Sequence, residues 1–371
     1  MKITFKPFWL QAILNFVNAG FTGILLFHFY KQHVGLSDIF FADAIGCSIN
    51  ALSLFARRSI HIRRDIQIGF GVLALSLIFL MIVPYSKPIF YIFYAFQTIG
   101  GIIFYVPLNI LFFEKISPTE RMRSMTAYWI VGIIAGVIGP IIGAFLFTHT
   151  GSVAFLSIPL AILLIGIYIA RFAPADIVRY TPTEVLSHIK TLRTINLLDG
   201  ALHRVSGDVG LFALLFVSTV VDYGNYLSFV SLIMVGISWI IAKKSDSSGK
   251  RMKFLWPSAV IAGIATMSFS FAHTFVIFII LTIITRSALI IAEPLRSNVM
   301  QDILHPHPIN WISREFYLNV GRAIIQVIAA ILLFYGSPVA AFILFGAMHM
   351  AFPLLVRWKK IYHIPPTIPA L

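Results

Sequence analysis

Two pairs of opposite charge stand out in an otherwise apolar chain. Arg286 and Glu293 lie seven residues apart, and so do Glu315 and Arg322. Seven residues are about two helical turns, so each pair shares one face of a helix. A guanidinium in apolar surroundings can grip an anionic or polar group, and a carboxylate there can take up and release a proton. The spacing predicts a Glu293–Arg322 contact between antiparallel neighbours, which leaves Arg286 open to a ligand. The alternative is a set of pairs that only tie helices together. Thr282 lies one turn before Arg286 on the same face. Asp199, His203, Arg204 and Asp208 form a second group. His203 follows Asp199 by one turn and could relay protons, while Arg204 and Asp208 read as an i,i+4 pair. The alternative places this group in the headgroup region. Neutral polar residues form a third group. Gln11, Asn15, Asn18 and Thr22 recur at steps of four, three and four. Tyr94, Gln97, Thr98, Gly101 and Tyr105 share a sector of another helix. Both sets can bind a polar or amphipathic solute, or bridge helices.

These residues are embedded in 371, of which 59% are apolar and 11% charged. Soluble domains carry roughly 25% charge. Mean hydropathy is +0.91. One core cannot hide that much apolar surface from water, so the solvent is largely lipid. A soluble enzyme, a disordered chain and a disulfide scaffold are excluded. Cys47 is the only cysteine, so no internal disulfide forms. A bilayer core needs about 20 apolar residues per helix. Twelve such spans are predicted near 8–29, 36–56, 67–84, 88–113, 123–147, 152–172, 197–221, 225–242, 254–272, 274–301, 311–334 and 337–356. Helices are required because lipid cannot hydrogen-bond the backbone.

The formal net charge is +14. Lys31 and Lys87 lie at one set of span ends, and Arg286 and Arg322 fall within spans. Every other Lys and Arg falls at the opposite set of ends. That alternation places both termini in the cytoplasm and accounts for the basic balance without nucleic acid. Lys2 and Lys6 resemble the start of a signal peptide. Gln11, Asn15 and Asn18 interrupt the apolar run, so a retained first helix is expected.

The longest loop divides the chain into 1–172, a linker at 173–196, and 197–371. The linker carries Thr181-Pro182-Thr183-Glu184, a capping box with proline at the first helical position. Val185, Leu186, Ile189 and Leu192 follow at helical spacing. They predict an amphipathic helix, either on the inner membrane surface or against the bundle. Pro107-Leu108 echoes Pro294-Leu295, and Arg63-Arg64 echoes Lys250-Arg251, both at an offset of 187. A shared offset suggests a duplicated six-helix unit.

At this point the chain resembles the major facilitator superfamily of secondary transporters, and a poorly characterised bacterial branch of it. The stretch Ala242–Arg251 is similar to the family's loop signature. Asp246, Gly249, Lys250 and Arg251 match, and the resemblance implies a gating role for them. The fifth span carries Gly132, Gly136, Gly139, Pro140 and Gly143. It looks like the family's antiporter motif and equally suits a helix-packing face. Phe96 stands where efflux members often carry arginine. Arg314-Glu315-Phe316-Tyr317-Leu318-Asn319-Val320-Gly321-Arg322 looks like a pattern of the uncharacterised members.

The resemblance implies an all-α fold of twelve transmembrane helices in two pseudo-symmetric six-helix bundles. It also implies alternating access by a multi-pass protein of the cell (inner) membrane. Export with proton coupling is expected first, and uptake of a polar or anionic metabolite second. Glu293, Arg322, Glu315, Asp199 and His203 are the candidate proton-coupling network. A membrane-embedded enzyme and a non-transporting scaffold are the rivals from other classes. No phosphate-binding loop and no metal-ligand spacing are present, so no cofactor is expected. The expected partners are a small solute, lipid and protons, with no nucleic acid and no obligate protein partner.

Overall fold

The computed structural model describes residues 7–113, 121–245, 251–304 and 307–361. Ten of its helices are long and apolar enough to cross a membrane. Span one is Pro7–Lys31, span two Leu36–Ala56, span three Ile62–Ile82, span four Lys87–Phe113, span five Arg121–His149 and span six Ser152–Ala170. Span nine is Arg251–Ser268, span ten Phe275–Ile303, span eleven Pro308–Phe334 and span twelve Pro338–Trp358.

Spans seven and eight depart from the expected boundaries. Span seven is α-helical over Arg193–Asp208 and then tightens to a 3₁₀-helix over Val209–Leu215. Gly207 and Gly210 weaken the helix at that point. Span eight, expected from about residue 225, starts at Val220 and runs to Ser245, with Asp222 in its first turn. Thr219 caps that turn: the Asp222 N–H donates to Thr219 Oγ1 at 3.1 Å, and the Thr219 hydroxyl donates back to the Asp222 carboxylate at 2.7 Å. This reciprocal Thr-x-x-Asp cap is visible in the sequence.

The halves meet along two seams. Span two packs against span eleven, and span five against span eight. The fifth-span glycines make the second seam possible. A Cβ on Gly136 would lie 2.7 Å from Ser231 Oγ, and one on Gly224 would lie 2.8 Å from the Pro140 carbonyl oxygen. On its other side span five crosses span one, where residues Asn18–Thr22 form a π-helical turn. The wider turn presents the backbone of Gly20 to Gly139 and Gly143.

Beyond the all-helical expectation, a small two-stranded sheet joins β1 (Ser59–His61) to β2 (Ile177–Arg179), antiparallel. It clips the start of the linker to the loop after span two. Arg63 Nε adds a 2.7 Å bond to the Ala173 carbonyl. The linker helix, Pro182–Ser187, carries the expected capping box. Val185, Ile189 and Leu192 are buried and Leu186 is exposed. The apolar stripe therefore packs on the bundle, and the Tyr317 hydroxyl on span eleven donates to the Leu186 carbonyl at 2.8 Å. The end of the bundle carrying this linker is here the linker face, and the opposite end the far face.

At the far face the halves touch. Lys31 Nζ donates to the Val217 carbonyl at 3.3 Å. Phe27 stacks on Tyr223 at 5.6 Å, and Phe40 meets Phe212 at 6.1 Å and Phe345 at 6.4 Å.

Candidate central solute site

Beneath these aromatic contacts Arg204 of span seven forms an ion pair with Asp43 of span two, one half gripping the other. The same guanidinium donates to the Tyr94 hydroxyl of span four at 3.2 Å. Asp43 is fully buried. The expected Arg204–Asp208 pair is not formed. Asp208, one turn along, instead accepts from Gln326 of span eleven at 2.5 Å. Arg204 favours Asp43 because a bidentate grip on a buried carboxylate exceeds a pair along one helix. Asp43 stands in the first half of span two. Its position seven residues inside an apolar span is the signal that marks it as interior.

Span ten brings Arg286 to the middle of the bundle. Its guanidinium lies 3.5 Å from where a Cβ on Gly210 would stand, and the Tyr226 hydroxyl lies 4.0 Å from that point. Tyr226 in turn sits 3.4 Å from Thr282 Oγ1. Spans seven, eight and ten thus converge on Arg286, and the missing side chain of Gly210 leaves it room. Arg286 is half-buried, and among the described residues no carboxylate lies within ion-pair distance of it. Glu293, two turns along the same face, is likewise half-buried and outside any ion pair of the described residues.

The predicted Glu293–Arg322 contact is replaced by one within span eleven. Arg322 Nη1 reaches Glu315 Oε2 at 3.4 Å and Asn319 Oδ1 at 3.4 Å. Two turns on one helix face present Glu315 directly to Arg322, whereas Glu293 would need a matched depth on another helix. Asp199 is buried inside the bundle. It accepts from Arg296 at 3.1 Å and from Arg314 at 2.8 Å, joining spans seven, ten and eleven. His203 is accessible on the same helix and lies in the field of Arg322, Arg296, Arg314 and Arg204.

The neutral stripes are partly committed to packing. Gln97 donates to Ser76 Oγ at 2.7 Å, which ties span four to span three. Asn15 accepts from the Tyr105 hydroxyl at 2.9 Å and faces Gly132, whose Cβ would lie 3.0 Å from Asn15 Nδ2. Gln11 is buried, and Asn18 opens the π-turn. Of the loop signature, Asp246, Gly249 and Lys250 lie outside the described residues, and Arg251 is the first residue of span nine.

The model of the Major Facilitator Superfamily matches residues 7–310. The chain belongs to that superfamily. Solved structures agree on the fold of this facilitator. It superposes on a D-xylose–proton symporter with a TM-score of 0.69 at 12% identity, covering 95% of this chain and 96% of that one. A POT family transporter in complex with 5-aminolevulinic acid gives 0.69 at 12% identity over 96% of both chains. A proton:xylose symporter bound to 6-bromo-6-deoxy-D-glucose gives 0.70 at 12% identity, over 96% of this chain and 94% of that one. No curated protein matches this chain by sequence. The facilitator is therefore a multi-pass membrane transporter of a small solute and not an enzyme.

Proposed function

We propose that this facilitator carries a small organic anion across the cell membrane by alternating access, its two halves rocking about Arg286. The observation that supports this reading is a half-buried guanidinium at mid-span, facing Gly210 and Tyr226, with no carboxylate in ion-pair reach among the described residues. An intramembrane cation costs about 2.5–3.5 kcal/mol on insertion scales. An anionic solute group offsets that cost, and the Tyr226 hydroxyl supplies a second donor. Lys and Arg at the linker face support a cytoplasmic position for that face. Proton coupling belongs to the same reading. Glu293 of span ten and Asp208 of span seven are two carboxyls inside spans with no cation within ion-pair distance among the described residues.

Export of amphipathic compounds is the second reading. The glycine and proline face of span five, which packs on spans one and eight, favours it. Proteoliposomes separate the two. Uptake or counterflow of labelled carboxylates, abolished in Arg286→Gln and partly kept in Arg286→Lys, supports the anion carrier. Movement of lipophilic cations that is indifferent to Arg286→Gln overturns it.

A further inference from the structure

Arg204 has two carboxylates within one residue's reach, and they belong to different halves. Asp43 holds it across the seam in this structure. Asp208 lies one turn further along Arg204's own helix, and among the described residues its one hydrogen bond comes from Gln326. Asp43 is shut in, with 2% of its side chain exposed, whereas 33% of the Arg204 side chain is accessible. The guanidinium is therefore the partner with room to move. Asp208 is also the last α-helical residue before the 3₁₀ segment Val209–Leu215. A mid-helix change of winding is a frequent hinge.

We propose that Asp208 is a proton-binding site that decides which half holds Arg204. This deepens the carrier reading above. When Asp208 carries a proton on a carboxyl oxygen it is neutral and cannot compete, so Arg204 stays on Asp43 and the far face stays shut. When that O–H bond breaks and the proton passes to water in the cavity, Asp208 becomes a carboxylate. Arg204 then has a partner on its own helix, so span seven can part from span two without stranding a buried cation, and Asp43 is met by the water that enters the opened seam. The polar and charged groups around Asp208 fit this exchange. They are Arg204 on its own helix, Asp43 and Cys47 on span two, and Tyr94 on span four. Arg286 on span ten and Gln326 on span eleven join them. Asp43 opposes a second negative charge beside it, which makes proton loss from Asp208 and release of Arg204 one linked event.

The chain carries its own reporter. Cys47, its single cysteine, is buried with Sγ 3.8 Å from Asp43. Opening of the seam uncovers it. The test is the rate of Cys47 alkylation by a small soluble maleimide, on the full chain in lipid nanodiscs, from about pH 5 to about pH 8. Each rate is divided by that of the same thiol in the denatured chain at the same pH, which removes the titration of the free thiol. The wild-type ratio rises with pH, by at most about tenfold per unit. Asp208→Asn keeps the ratio low at every pH, and Asp208→Glu restores the rise. A flat wild-type ratio overturns the proposal, as does a rise that persists in Asp208→Asn. If Asp208→Asn fails to fold, the wild type and Asp208→Glu still decide. The readout needs no solute, so it can fail while Arg286→Gln still abolishes anion transport, and the reverse.

Discussion

Gly143 of span five lies so close to Gly20 of span one that a Cβ on Gly143 would overlap the Gly20 carbonyl oxygen. The obstacle is backbone, and it cannot rotate away. Gly143→Ala must push the two spans apart, and overpacking of this kind typically costs about 1–3 kcal/mol. Gly101 has nothing within 4 Å of its Cβ position, so Gly101→Ala leaves stability unchanged or slightly raised. Thermal unfolding of both variants in detergent checks the contrast. Equal melting temperatures would mean that the crossing is looser than the structure has it.

Arg286→Gln removes a charge-assisted contact worth roughly 1.5–3 kcal/mol, or about tenfold to a hundredfold in solute affinity. Arg286→Lys keeps the charge without the planar fork, so its loss is smaller. Binding of labelled carboxylates to the purified protein measures both. An Arg286→Gln variant with wild-type affinity and intact folding would remove Arg286 from the site.

Asp199 pairs with two arginines, and the Arg296 side chain is only 2% exposed. Asp199→Asn strands that buried charge, a change that costs about 3–5 kcal/mol. Adding Arg296→Met removes the stranded charge and keeps the volume. The double variant is therefore expected to melt above Asp199→Asn. A double variant less stable than the single one would show that Arg296 has another essential partner.

Gln97 is held by Ser76 and is buried. Gln97→Leu is expected to lower stability by about 1 kcal/mol and to leave solute affinity untouched. A selective loss of affinity at unchanged stability would return Gln97 to the binding site.

The linker helix holds a histidine whose ring lies 5.4 Å from that of His307, the N-cap of span eleven. Partial burial first, and the charge of His307 second, lower the His188 pKa from the usual 6.5. A lowered pKa means that the docked helix disfavours the protonated ring. Docking is therefore at full strength above pH 6.5 and weakens as pH falls through the lowered value. Protection factors of the amides over residues 182–189, with the intrinsic pH dependence of exchange divided out, should fall on acidification, and His188→Gln should flatten that response.

Much of the architecture is legible residue by residue. Ten of the expected spans appear as helices long and apolar enough to cross a membrane. The Thr181–Glu184 capping box forms as its spacing demands, with the Glu184 N–H donating to Thr181 Oγ1 at 3.2 Å. These features rest on local causes: the affinity of each side chain for lipid, and hydrogen bonds between residues three apart.

The site was legible only as a set of residue types. Arg286, Asp199 and Arg204 announce themselves as charges in apolar runs, but their partners do not. Asp199 meets residues 97 and 115 positions away, and Arg204 meets one 161 positions away. Helical periodicity says which face a residue occupies. It does not say at what depth, or against which neighbour, that face comes to rest. Those are set by how closely whole helices approach, here through Gly20 against Gly143 and through the span two and span eleven seam. The sequence alone determined a lipid-borne bundle with charges inside it. The tertiary structure decided which charges neutralise one another and which, like Arg286, stay open, because pairing depends on the relative register of helices that no single helix encodes.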